Sequence, residues 1–381
     1  MTVATRPNPV PVDLIRSHAP EVDREARFPT EAVDALRAAG LMGLGIPDSF
    51  EGPGGTMSEV AAAVEQVATG CASAAMVYTM HVVAGQTLLA GTGGPQDGVK
   101  ADTLRAIARG EHLSTLAYSE RGSRSHFWAQ VSRAQPDGSD RVRIDADKSW
   151  VTSAGHADSY VTATGAVGGS SPVETELYLV DGRAPGVEVQ GAFDGLGMRG
   201  NASSPIAFRG VEVDNDKRLG PPGSGFDLMM SATLPWFVVC SAATSVGIAG
   251  AAIEAGVEHI SGARFAHLGS SLADVPGVRA RLAEAKVRHL QARALLYDVA
   301  RAIESGTPDA QLGVLALKAA AAEMAIDVTD EIMRACGGAA FSRHLGIERQ
   351  FRDARAASVM APTTDVLRDL MGKALTGQEL F

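Results

Sequence analysis

The chain has 381 residues, 45% of them hydrophobic, with 34 lysines and arginines against 44 aspartates and glutamates and a formal net charge of −10. Such a composition supports a sizeable core and excludes global disorder. The acidic balance argues against nucleic acid as a partner, and three widely spaced cysteines, Cys71, Cys240 and Cys336, give neither a disulfide framework nor a metal cluster. The opening stretch MTVATRPNPVPVDLIRSHAPEVDRE has no apolar core of signal-peptide length, so a cytoplasmic protein with reduced thiols is expected.

Residues 1–110 read as a helical domain. Val33, Leu36, Leu41 and Leu44 fall at helix-like spacing after a start at Thr30 and Glu31, until Gly43, Gly45 and Pro47 end the run. SEVAAAVEQVATGCASAAMVYTMHVVAGQTLL follows with Gly70 as its main breaker, then the short amphipathic ADTLRAIARGE. Residues 111–217 change texture. RVRIDAD, TELYLVD and SPIAFRGVEVD alternate apolar and polar positions between turn clusters such as QPDGSD and GAVGGSSP, as in an antiparallel sheet or small β-barrel. Residues 218–381 return to helix. ARLAEAKVRHLQARALLYDVARAIE and LGVLALKAAAAEMAIDVTDEIMRAC are long runs that read as a four-helix bundle. Helix, sheet, helix is an α+β architecture. The uncharged run Leu228–Ile253 has the length of a membrane span. Its small residues, Pro235 and lack of flanking arginines and lysines favour a buried bundle helix instead, so no membrane is expected.

FPTEAVDALRAAGLMGLGIPDSFEGPGG, LAYSERGSRS, DKSWVTSAGHAD, LGMRGNASSPIAF, VEVDNDKRLGPPGSGF, CGGAAF and ERQFRDAR stand in the order of the motifs of the acyl-CoA dehydrogenase superfamily. The resemblance covers nearly the whole chain. It implies an N-terminal helical domain, a middle β domain contacting flavin and substrate, and a C-terminal bundle. It also implies FAD, an electron acceptor or flavin reductase, and a homotetramer or homodimer, since relatives complete the cofactor site between subunits.

The bottom-up chemistry of these motifs is compatible with a flavin. Trp150 offers a flat wall. Ser119 and Thr152 offer hydroxyls for the ring edge, Tyr118 and Ser119 offer backbone amides, and Ser125 falls at a further small-hydroxyl position. By resemblance, Arg264 faces the diphosphate across a subunit boundary, though FAHLG after it adds a residue to the usual spacing. Gly337 and Gly338 allow close backbone approach, with Arg334 where relatives carry glutamine, and Thr363 matches a cofactor-touching position.

One departure bears on the chemistry. Relatives carry a catalytic glutamate eight residues beyond the aspartate of RDAR; counting from Asp353 gives Ala361. A base of that kind is worth roughly 10²–10⁴ in rate. The second place where some relatives put the base falls near Trp236, with Phe237 where an arginine often follows. If the base sits elsewhere, Asp365 and Glu120 are the candidate substitutes. His81, on an apolar helix, is a further candidate for proton transfer and for the substrate pocket, beside Trp236, Phe237 and Met360. The expected function is a FAD-dependent oxidoreductase acting on an acyl thioester or another small substrate. Its alternatives are a flavin-dependent monooxygenase on the same fold and a catalytically silent subunit of a hetero-oligomer.

Overall fold

The structure, a computed structural model, describes residues 6–94, 97–124, 126–138 and 140–381. Helices Val12–Glu25, Thr30–Ala38, Met57–Gly70, Ala72–Thr92 and Val99–Ala108 come first. The long apolar run read from sequence is two helices. They separate at Cys71, whose backbone is extended (φ −153°, ψ 116°). Thr56 opens the first of them with a reciprocal capping box to Glu59.

The middle strands form two four-stranded sheets. One orders Ser114–Ala117, Ser159–Gly165, Thr175–Asp181 and Arg218–Leu219; the other orders Gln135–Asp137, Arg141–Val151, Ser204–Asp214 and Val187–Val189. Strand Arg141–Val151 alternates exposed and buried positions along most of its length, as its sequence predicts. Ser159–Gly165 is buried along its whole length, Thr162 and Thr164 included, and its pairing with Ser114–Ala117 is parallel. Tyr160, Tyr178, Ile206 and Phe208 fill the space where the sheets meet.

Helices Leu234–Gly262, Pro276–Ser305, Ala310–Cys336 and Thr364–Leu375 make the C-terminal part. The uncharged run lies in Leu234–Gly262 and in a short π-helical stretch, Met229–Thr233, that runs straight into it; Pro235 falls just after that irregular turn, the kind of break where a helix takes a proline. Its most apolar window is 83% buried inside the protein. One core runs through both helical parts. Gly247 lets the helices Met57–Gly70 and Leu234–Gly262 touch, since a Cβ there would fall 2.3 Å from the Glu65 carbonyl oxygen.

Candidate functional site

A cleft of about 1600 Å³ opens where the β domain meets the C-terminal part. Tyr118, Ser119, Trp150, Thr152, Phe237, Met360 and Ala361 all line it. Trp150 reaches it through a backbone irregularity. The register of its strand against Ser204–Asp214 slips between Lys148 and Val151, and Trp150 takes a left-handed φ of 55°. A bulge re-aims a side chain in this way. The indole is 71% exposed, an open aromatic face on a concave wall. Thr152 Oγ1 lies 3.0 Å from Ser203 Oγ, and the Ser149 amide donates to the Ser119 carbonyl at 2.8 Å.

Beneath these residues lies a buried ion pair. Lys148 Nζ donates to Glu120 Oε1 at 2.7 Å, and their side chains are 0% and 3% exposed. Lys148 also reaches Gln130 Oε1 at 3.1 Å and the Tyr118 carbonyl at 3.3 Å. Glu120 accepts from the amides of Val131 (2.6 Å) and Ser132 (2.8 Å) and from the Ser132 hydroxyl. Burial pushes the Glu120 carboxyl up, but the Lys148 charge and these bonds outweigh it and hold the group below its ordinary value. It is an anchored anion whose acceptor sites are occupied.

The opposite wall is the segment after the helix Ile347–Asp353. Asp353 accepts from the Met198 amide at 2.6 Å, and burial pushes its carboxyl up to about 6. Arg352 grips Asp23 at 2.6 Å and Glu348 at 2.8 Å. Gly197 fits beneath because a Cβ there would fall 2.6 Å from the Arg352 carbonyl. A short helix, Ala356–Val359, ends before Pro362, and the next begins at Thr364, with the Thr363 hydroxyl accepting from the Val366 amide.

Other sequence candidates lie elsewhere. His81 does not line the cleft. It is fully buried, its Nε2 bonds the Met42 carbonyl at 2.9 Å and its Nδ1 accepts from the Ser114 amide at 3.2 Å. Burial lowers its pKa to about 4, so the ring is neutral and committed to the backbone. Asp365 is exposed in the first turn of its helix. Trp236 is half-buried against the core; its neighbour Phe237 is the one on the cleft. Arg264 and Gly338 are exposed away from it, and Ser125 lies outside the described residues.

Two residues escaped the sequence reading. Arg355 lines the cleft, its guanidinium carbon 3.4 Å from the centre of the Phe351 ring. Lys318 is buried directly behind the segment that carries Ala361. Its signal was a lone lysine inside the otherwise apolar run GVLALKAAAA.

The lining suits a flavin dinucleotide. An exposed indole face stands beside hydroxyl groups, and the cleft gathers Arg121, Arg124, Lys148, Arg209, Arg352 and Arg355 against Glu120 and Asp147 in a chain whose net charge is −10. Lys148, Arg209 and Arg352 are paired with Glu120, Asp147 and the Asp23–Glu348 couple, so Arg121, Arg124 and Arg355 are the cleft cations placed to attract an anion such as a diphosphate.

Family models for the N-terminal, middle and C-terminal domains of acyl-CoA dehydrogenase match residues 13–111, 115–211 and 223–376. The chain is 28% identical over 363 residues, 95% of its length and 91% of the relative's, to the "Probable acyl-CoA dehydrogenase FadE25" of Mycobacterium tuberculosis. It is 27% identical over 352 residues to the bovine mitochondrial short-chain specific acyl-CoA dehydrogenase, covering 92% of this chain and 83% of that one. Butyryl-CoA dehydrogenase from Megasphaera elsdenii superposes with a TM-score of 0.89 at 23% identity, over 95% of this chain and 94% of that one. The chain belongs to the acyl-CoA dehydrogenase family of FAD-dependent oxidoreductases.

Proposed function

We propose that the chain oxidises a small, largely apolar substrate without a carboxylate base, and that oxygenation with reduced flavin is its reaction. One observation carries this reading. The carboxylates on the cleft are Glu120 and Asp147; the first is paired with Lys148 at 2.7 Å and the second with Arg209 at 2.5 Å. By the count from Asp353 of the RDAR motif, Ala361 falls where the resemblance puts the family's base. Removing an α-proton needs an acceptor within hydrogen-bond reach; among the described residues Glu120 is committed to Lys148 and to its backbone donors, and Asp147 faces solvent beside Arg209.

Bound FAD supplies electron acceptance and, once reduced, reactivity toward oxygen. The chain's residues would position it: Trp150 as a ring wall, Ser119 and Thr152 at the polar edge, and the arginines for the diphosphate. Met76, Met80, Leu116 and Phe237 supply an apolar lining that excludes water. A flavin reductase is the partner this reading requires. The exposed Arg264 and Gly338 fit completion of the cofactor site by a second copy, in a homodimer or homotetramer. The three cysteines are free and buried, in keeping with a cytoplasmic enzyme.

The test uses the purified flavoprotein. Straight-chain acyl-CoAs are expected to bleach the flavin slowly or not at all without oxygen. With a reductase and oxygen, hydrogen peroxide release should fall when the true substrate is added. Rapid bleaching by ordinary acyl-CoAs would overturn the reading and restore thioester dehydrogenation. If neither response occurs, co-purification of a partner chain carrying the glutamate would identify a silent subunit. Trp150→Ala should retain FAD about tenfold less tightly through loss of ring contact, measured by equilibrium dialysis.

A further inference from the structure

Lys318 stands in the helix Ala310–Cys336 and is 1% exposed. Its Nζ donates to the carbonyls of Ala357 at 2.7 Å, Met360 at 3.0 Å and Pro362 at 2.9 Å. Those three acceptors use all the protons of an ammonium. A neutral amine has one donor fewer and would turn its lone pair on a carbonyl. The pocket is therefore shaped around the charged form.

Its surroundings are otherwise apolar. The Phe237 ring, from the helix Leu234–Gly262, lies 5.9 Å away. Among the described residues no ionisable side chain bears on its titration, and burial alone pushes the amine down to about 7. Phe237, Met360 and Ala361 all face the cleft. The bonded carbonyls of Met360 and Pro362 flank Ala361 in sequence, so the charge sits behind the wall at Ala361 and braces it against Phe237. A glutamate at that position would oppose the charge; alanine leaves it unopposed.

The geometry points to Lys318 as a specificity-determining residue, a fixed positive charge that makes this end of the cleft select small apolar substrates bearing a carboxylate or phenolate. The inference rests on the reading of a small, largely apolar substrate. A unit charge one wall residue away, at the effective permittivity of a protein site, changes binding by about tenfold. The carbonyl dipoles reduce that field without cancelling it. Arg355 adds attraction from the cleft side, but a guanidinium keeps its charge throughout the neutral range. Asp353, raised to about 6 by burial on the same wall, also titrates in this range, so the part of the pH dependence that belongs to Lys318 is the part that Lys318→Met removes.

Benzoate and benzamide are matched probes, nearly equal in shape, one ionised and the other neutral from about pH 6 to about pH 9. Calorimetric titration of the FAD-bound protein should show benzoate bound about tenfold more tightly than benzamide at about pH 6. The ratio should fall several-fold by about pH 9, as the ammonium loses its proton. Lys318→Met should give the smaller ratio at both pH values. Should that variant fail to fold, Ala361→Glu provides an opposing carboxylate and should abolish the preference with Lys318 in place. A ratio that does not change with pH, or no preference at the lower pH, would overturn the assignment. Binding of neither probe would overturn it as well, while oxygen consumption with the reductase tests the oxygenation reading on its own.

Discussion

Ala361→Glu is expected to reduce its flavin with butyryl-CoA, without oxygen, about 10²-fold faster than the unaltered chain. Ala361 lines the cleft, and the carbonyls on either side of it accept hydrogen bonds from Lys318 at 3.0 and 2.9 Å. A glutamate side chain there would reach into the cleft with an ammonium behind it. That charge would keep the new carboxylate ionised, the form a base requires. Stopped-flow bleaching reads the change directly. No acceleration would mean that a thioester does not place its α-carbon against residue 361, since a misplaced reacting atom cancels the benefit of a base.

Lys148→Met should cost about 3–5 kcal/mol of stability, the cost of leaving a buried partner uncompensated. Glu120 would keep its bonds from Val131, Ser132 and the Ser132 hydroxyl but lose its counter-charge, with its side chain only 3% exposed. The double change Glu120→Gln with Lys148→Met should recover part of the loss, because no charge is then stranded. Urea unfolding of the FAD-bound proteins measures both. The sign with pH follows from the depressed Glu120 value. Its contribution is complete above the ordinary carboxylate range and is lost as pH falls through the folded value. The variant should also release FAD more readily, because Tyr118 and Ser119 precede Glu120 on the same cleft wall.

The helix–sheet–helix order was legible because hydrophobic period changes with secondary structure, as at RVRIDAD and again at ARLAEAKVRHL. Ser159–Gly165 was not, since its threonines are as buried as Val161 and Ala163 and side-chain polarity there marks no solvent face. At the site, motif order drew attention to Trp150 and Ala361. It could not foretell that His81 gives both ring nitrogens to the backbone, because a buried histidine and a pocket histidine look alike in an apolar helix. Lys318 shows the complementary limit. Helical periodicity reports side-chain polarity, whereas its partners are main-chain carbonyls about forty residues further along the chain, supplied by tertiary structure.

Contact between the helices Met57–Gly70 and Leu234–Gly262, close enough to need glycine at 247, sets a timetable for biosynthesis. The face of Met57–Gly70 that carries Glu65 and Ala68 leaves the ribosome long before the helix that covers it, with the whole β domain translated in between. The nascent N-terminal helices must therefore wait with apolar surface uncovered, a state prone to aggregation and suited to chaperone capture. Refolding from denaturant should be slow for the same reason, since the first helices gain their packing only after a long loop has closed.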